Sequence, residues 1–148
     1  MHSFVSCLIH CTFATKERLP LITPDLQQRL WPYLGGIARE NKMKALIVGG
    51  VADHAHALLS IPSMISVAKS MQLLKGNSSK WIHDTFPEHR YFEWQEGYGA
   101  FSIGISGVED TMKYIQGQAE HHRRMTFTEE LEVFLKKHGI EYVARDLE

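Results

Sequence analysis

Lys44-Ala45-Leu46-Ile47-Val48-Gly49-Gly50-Val51-Ala52-Asp53-His54-Ala55-His56-Ala57-Leu58-Leu59-Ser60-Ile61 holds two strand-length runs with one short gap between them. Lys44 to Val51 is rich in aliphatic residues and reads as one strand, ending at Gly49-Gly50. Residues 54–61 read as the next, and Val51-Ala52-Asp53 leaves room only for a tight turn, which predicts a hairpin. Upstream, residues 4–13 alternate: Val5, Cys7, Ile9, Cys11 and Phe13 on one face, Ser6, His10 and Thr12 on the other, as in a half-buried strand. Thr23-Pro24 is an N-cap followed by proline at the first helical position. Leu26, Leu30, Leu34 and Ile37 then keep helical spacing to about Asn41, with Pro32 inside as an expected kink.

Downstream, Pro62-Ser63 ends the hairpin and caps a second helix with Val67, Met71, Leu74, Ser78 and Trp81 on one stripe. Residues 84–97 look like a loop, and Tyr98 to Ile105 like a fourth strand. Ser106 and Glu109 form a capping-box pattern that opens a helix to about Arg124. Thr126 and Glu129 form another, opening a helix to about Lys137 before Gly139. The first six elements run strand, helix, strand, strand, helix, strand. That βαββαβ order predicts an α+β, ferredoxin-like sandwich: a four-stranded antiparallel sheet with helices on one face, plus C-terminal helices.

With 148 residues, 44% of them hydrophobic, the chain is expected to form one domain, residues 1–148. It shows neither a signal-peptide pattern nor an apolar run of membrane-spanning length, so a cytoplasmic location is expected. Cys7 and Cys11 would lie about 13 Å apart along a strand, too far for a bridge, and read as small core residues. The net charge of −1 hides an asymmetry: residues 125–148 carry six acids and three bases, residues 1–124 eleven acids and thirteen bases. Local clusters of base steer a polyanion more than the total does, but charge alone reads as solvated surface groups.

Two patterns carry chemistry. In residues 54–61, Ala55, Ala57, Leu59 and Ile61 are uniformly apolar and should face the core. His54 and His56 then share the opposite face about 6.6 Å apart, where two imidazoles can converge on one ion. In the helix after Gly107, Val108, Met112, Ile115 and Ala119 form the apolar stripe. Tyr114 and Gln118 stand one above the other at its edge, offering a phenolic oxygen and an amide oxygen. Neither pattern is diagnostic alone, since paired strand histidines are ordinarily surface groups. Among the remaining residues, His10 lies on the polar face of the first strand, and Asp53 reads as a turn residue. The loop aromatics Tyr91, Phe92 and Trp94 are open as base-stacking groups. His121 is open as a DNA or metal contact, whereas His122 falls on the apolar side of its helix.

The sequence resembles the single-tyrosine HUH transposases of the smallest bacterial insertion sequences. The likeness runs through residues 15–22, the metal strand Asp53-His54-Ala55-His56-Ala57-Leu58-Leu59, and Leu74-Lys75-Gly76-Asn77-Ser78-Ser79-Lys80. It continues through residues 94–102 and the helix from Tyr114 to His122. Ala55 stands where the family has a bulkier apolar residue. The resemblance implies DNA transposition: metal-dependent cleavage and strand transfer of single-stranded DNA at hairpin-bearing element ends. His54, His56 and Gln118 would hold Mg²⁺ or Mn²⁺, the imidazoles favouring Mn²⁺. Three neutral ligands would leave the ion's charge intact. Tyr114 would form a 5′-phosphotyrosine, and Lys75, Ser78, Ser79, Lys80, Arg123 and Arg124 are candidate DNA contacts. The resemblance also implies a homodimer whose tyrosine helix can complete the partner's site, working at the nucleoid. Two other classes fit the same residues: a nucleic-acid-binding module without chemistry, and a metal-dependent phosphodiesterase whose nucleophile is water.

Overall fold

A computed structural model describes residues 1–121 and 124–148. The strands are β1 (Leu8–Ala14), β2 (Lys44–Val51), β3 (His54–Ser60) and β4 (Gly99–Ile103). The helices are α1 (Pro24–Glu40), α2 (Val67–Thr85), α3 (Val108–Gln116), α4 (Gln118–His121) and α5 (Phe127–Lys137). The sheet order is β2-β3-β1-β4, with every neighbour antiparallel. The crossover through α1 leaves a slot between β1 and β2, and the hairpin return puts β3 into it. This is the expected ferredoxin-like sandwich.

Ile9, Cys11 and Phe13 of β1 and Ala55, Ala57 and Leu59 of β3 face α1 and α2 and form the main core. Leu26, Leu30, Leu34 and Ile37 fill it from α1, which runs through Pro32 without a break. Thr23 caps α1 as expected, whereas α2 is capped by Ser66 rather than Ser63. Both cysteines are free; burial pushes the Cys11 thiol up to about 12. Among the described residues no helix is long and apolar enough to cross a membrane.

The other sheet face departs from the sequence reading. Strand β1 is buried on both sides rather than half-solvated, and so is nearly all of β3. The cover is α3, packed on β2, and α5, whose Phe127 and Phe134 rings lie against His54 and His10. The helix expected to reach Arg124 breaks at Gly117, the C-cap of α3, and restarts as the single turn α4. The break turns Ala119 outward and Gln118 inward. The first capping box does not form: Gly107 caps α3 without a side-chain bond, because a 3-10 turn occupies Ile105–Gly107. The Thr126–Glu129 box does form.

Gly49 sets how closely α3 approaches the sheet. It pairs with His56, so both point to the same face. A Cβ there would lie 2.8 Å from the Ile115 carbonyl oxygen and 3.0 Å from its Cγ2. Gly49→Ala is therefore expected to cost about 1–3 kcal/mol in urea denaturation, by lifting α3 off β2. The same displacement should lower any activity that needs Tyr114, although Gly49 touches no reacting group.

Candidate active site

The site stands on the sheet face under α3, α4 and α5. His54 and His56 alternate inward on β3 and are fully buried. Gln118, at the start of α4, brings its Oε1 to 3.1 Å from His54 Nε2. Tyr114, one turn earlier, reaches the same place, and the Gln118 amide also lies 3.4 Å from the Tyr114 carbonyl oxygen. The imidazole pair and the phenol–amide pair thus meet within a single chain, across the helix break.

At their meeting point lies Glu130 of α5, which the sequence reading missed. Its Oε1 is 2.9 Å from His56 Nε2 and 3.5 Å from His54 Nε2. Its Oε2 accepts from the Tyr114 hydroxyl, accepts from Gln118 Nε2 at 3.2 Å, and lies 3.5 Å from His121 Nε2. Glu130 is 1% exposed. A carboxylate is not buried this deeply without partners, and here imidazoles, an amide and a phenol supply them. The available signal was its position: Phe127, Glu130, Leu131 and Phe134 fall on one helical stripe, three of them apolar.

His54 Nε2, His56 Nε2, Gln118 Oε1 and Glu130 Oε1 form a mixed nitrogen–oxygen set suited to Mn²⁺, or with less preference Mg²⁺. Ligands about 2.1 Å from one ion, at right angles to each other, lie about 3 Å apart. The 2.9 and 3.1 Å separations match that spacing, and the 3.5 Å one is somewhat wider. The ligand atoms of His54, His56 and Glu130 lie within 4.8 Å of one another. Glu130 Oε1 thus stands as a candidate fourth ligand, a carboxylate beside the three neutral groups expected from the sequence.

Burial, together with the Glu130 carboxylate that accepts its hydrogen bond, raises the Tyr114 hydroxyl pKa well above the ordinary phenol value. The hydroxyl is also 3.1 Å from His121 Nε2. A free phenolate is therefore not the resting form, and attack by this oxygen requires a base to take its proton.

His10 is 2% exposed rather than on a solvated face, and its Nε2 lies 2.8 Å from His56 Nδ1. Burial first, and then the nearby His56, lower its pKa from 6.5 to about 3. The unfolded chain then binds a proton at His10 that the folded chain refuses. Stability from this group is complete above pH 6.5 and declines toward pH 3, by at most about 1.4 kcal/mol per pH unit. Urea denaturation should show a loss of about 2 kcal/mol from this group between pH 7 and 5, with a shallower slope in His10→Phe.

The candidate DNA contacts fare unevenly. Lys75 Nζ is 2.7 Å from both the Gln95 and Gly97 carbonyls and holds that loop. Ser78 is fully buried, accepting from Trp94 Nε1 at 3.0 Å, so it is not displayed to a phosphate. Ser79 is half-buried; Lys80 is exposed and paired with Asp84 at 2.7 Å. Arg124 is exposed, while Arg123 and His122 lie outside the described residues. Phe92 and Trp94 are buried in the core, leaving Tyr91 as the exposed aromatic of that loop.

The profile of the family described as "Transposase IS200 like" matches residues 3–118. The transposase for insertion sequence element IS200 of Salmonella typhimurium strain LT2 is 28% identical over 128 residues, covering 82% of this chain and 83% of the relative. The IS200 transposase of Salmonella typhi matches to the same extent. A crystal structure from Deinococcus radiodurans R1, assigned as a transposase, shares the fold with a TM-score of 0.63 and 21% identity, over 80% of this chain and 95% of that one. A REP-associated tyrosine transposase bound to a REP hairpin does so with a TM-score of 0.60 and 13% identity, over 82% and 72%.

Proposed function

Because this chain belongs to the IS200-like transposase family, we propose that it cuts and rejoins single-stranded DNA at hairpin-bearing element ends, with Tyr114 as nucleophile. The observation that carries this reading is the convergence of the Tyr114 hydroxyl, the Gln118 amide and the His54 and His56 imidazoles on one buried carboxylate. His54 and His56 would hold a Mg²⁺ or Mn²⁺ ion through Nε2, and Gln118 and Glu130 through Oε1. When bound, that ion polarises the scissile phosphate and offsets its charge.

Tyr114 forms the new O–P bond as the bond from phosphorus to the 3′ oxygen breaks. The phenolic proton passes to Glu130 Oε2, which already accepts a hydrogen bond from that hydroxyl. The departing 3′ oxygen takes a proton from solvent and becomes a free hydroxyl. The 5′ phosphate stays esterified to Tyr114, which conserves the bond energy for rejoining. In the reverse step a 3′ hydroxyl gives its proton to solvent as its oxygen attacks the phosphotyrosine, the bond from phosphorus to the phenolic oxygen breaks, and Glu130 returns the proton to the leaving phenolate.

The hairpin-bound relative supports a hairpin as the partner. All the named groups come from one chain, so the reading favours a site composed in cis. A homodimer, where it forms, need not lend a residue. The DNA substrate implies action at the nucleoid in the cytoplasm.

The test is incubation with a single-stranded hairpin oligonucleotide and Mn²⁺, followed by denaturing electrophoresis and peptide mapping. The expected product is a covalent adduct with the phosphate on Tyr114. Free 5′-phosphate ends without adduct would make water the nucleophile. Tight binding without cleavage would leave a nucleic-acid-binding module.

A further inference from the structure

The two candidate ligand imidazoles both face the centre through Nε2, and each has its other nitrogen engaged by an unlike partner. His54 Nδ1 is 2.7 Å from Asp53 Oδ1, at the hairpin turn. His56 Nδ1 is 2.8 Å from His10 Nε2, on the neighbouring strand. We infer that His10 is the positioning residue for His56, that it also seats the Tyr114 ring, and that Asp53 does the matching work for His54. The inference rests on the metal-dependent reading above.

An imidazole that gives its Nε2 lone pair to an ion carries its hydrogen on Nδ1 and needs an acceptor there. For His54 the acceptor is a carboxylate, a common partner of a metal-bound histidine. For His56 it is another imidazole. In the loaded site His10 must therefore be neutral, with a lone pair on Nε2 and its hydrogen on Nδ1.

The register makes this contact possible. Thr12 lies opposite His56 and His10 opposite Leu58, so His10 is the diagonal neighbour of His56 on the same sheet face. Its ring is held edge-on among aromatic neighbours, with centroids 5.0 Å from Phe134, 6.1 Å from Tyr114 and 6.5 Å from Phe101. One buried side chain thus touches a ligand and the nucleophile's ring. A displaced His10 would move both.

The experiment is Mn²⁺ titration of the full chain, followed by electron paramagnetic resonance, for wild type, His10→Phe, His10→Gln, Asp53→Ala and Asp53→Asn. His10→Phe keeps the bulk and removes the acceptor, and should weaken Mn²⁺ binding by about 10–100-fold. Asp53→Ala should weaken it on the same scale. His10→Gln and Asp53→Asn each retain an acceptor oxygen and should recover most of the affinity. Long-range ¹H–¹⁵N spectra of wild type loaded with Zn²⁺ as a diamagnetic probe should show His10 with its hydrogen on Nδ1. That measurement decides the matter even where His10→Phe fails to fold. Unchanged affinity in His10→Phe, or a His10 hydrogen on Nε2 in the loaded protein, overturns the inference and leaves the proposed function standing. A wild-type chain that binds no divalent ion overturns both.

Discussion

Replacing Tyr114 with phenylalanine should lower strand cleavage by about 10⁴-fold or more, the scale on which loss of a covalent nucleophile acts, and should eliminate the protein–DNA adduct. The change removes one oxygen and leaves the ring, which packs edge-on against His10, His56 and Phe134. Gln118 and the imidazoles still surround Glu130 without it, so the folding cost should stay near 1–2 kcal/mol. Hairpin affinity should be nearly unchanged, because the phenol sits at the chemical centre rather than along a basic surface. Single-turnover cleavage and fluorescence anisotropy on one labelled hairpin separate the two effects. Equal cleavage by wild type and variant would remove Tyr114 from the reaction, and residual cleavage giving free 5′ phosphates would point to water. The size of the effect follows from the site's own chemistry. Burial and the hydrogen bond to Glu130 keep the Tyr114 proton on its oxygen at rest, and the same carboxylate is the acceptor for that proton as the O–P bond forms. Phenylalanine leaves that base with nothing to deprotonate.

Strand periodicity exposed much of this arrangement in the sequence, because alternation is a property of consecutive residues. His54 and His56 fall on one face of β3 for the same reason that Ala55, Ala57 and Leu59 fall on the other. The hairpin and the βαββαβ order followed from the short gap at Ala52-Asp53 and from well-marked helix starts such as Thr23-Pro24. The cover over the histidine face was not legible, since it comes from α3 and α5, far along the chain. Glu130 was hidden for a related reason: it stands among Glu129 and Glu132 in an acid-rich stretch, and only its apolar stripe neighbours mark it as inward. The break at Gly117 was missed because one glycine in a helical pattern ordinarily costs only about 1 kcal/mol and is tolerated. Lys75 and Ser78 read as phosphate contacts by residue type, but the loop before β4 folds back onto α2 and takes up both. His10 shows the same limit: its polar face was evident, and its contact with His56 required the β1–β3 register.

Glu130→Gln should reduce single-turnover cleavage in saturating Mn²⁺ by about 10²–10⁴-fold, the usual worth of a positioned proton acceptor. The substitution keeps the shape of the side chain and its seat on α5. It removes the negative charge that faces His54, His56 and His121, and the basic oxygen that accepts from Tyr114. Mn²⁺ affinity should also fall, because an amide oxygen is a weaker ligand than a carboxylate. Saturating metal is therefore needed to isolate the proton-transfer loss. The adduct that still forms should remain on Tyr114, which distinguishes a slowed nucleophile from a replaced one. Cleavage at or above the wild-type rate would assign the carboxylate the opposite part. It would then hold the place of the scissile phosphate between the phenol and the imidazoles until DNA arrives, and the phenolic proton would need another acceptor, for which His121 Nε2, 3.1 Å from the hydroxyl, is within reach.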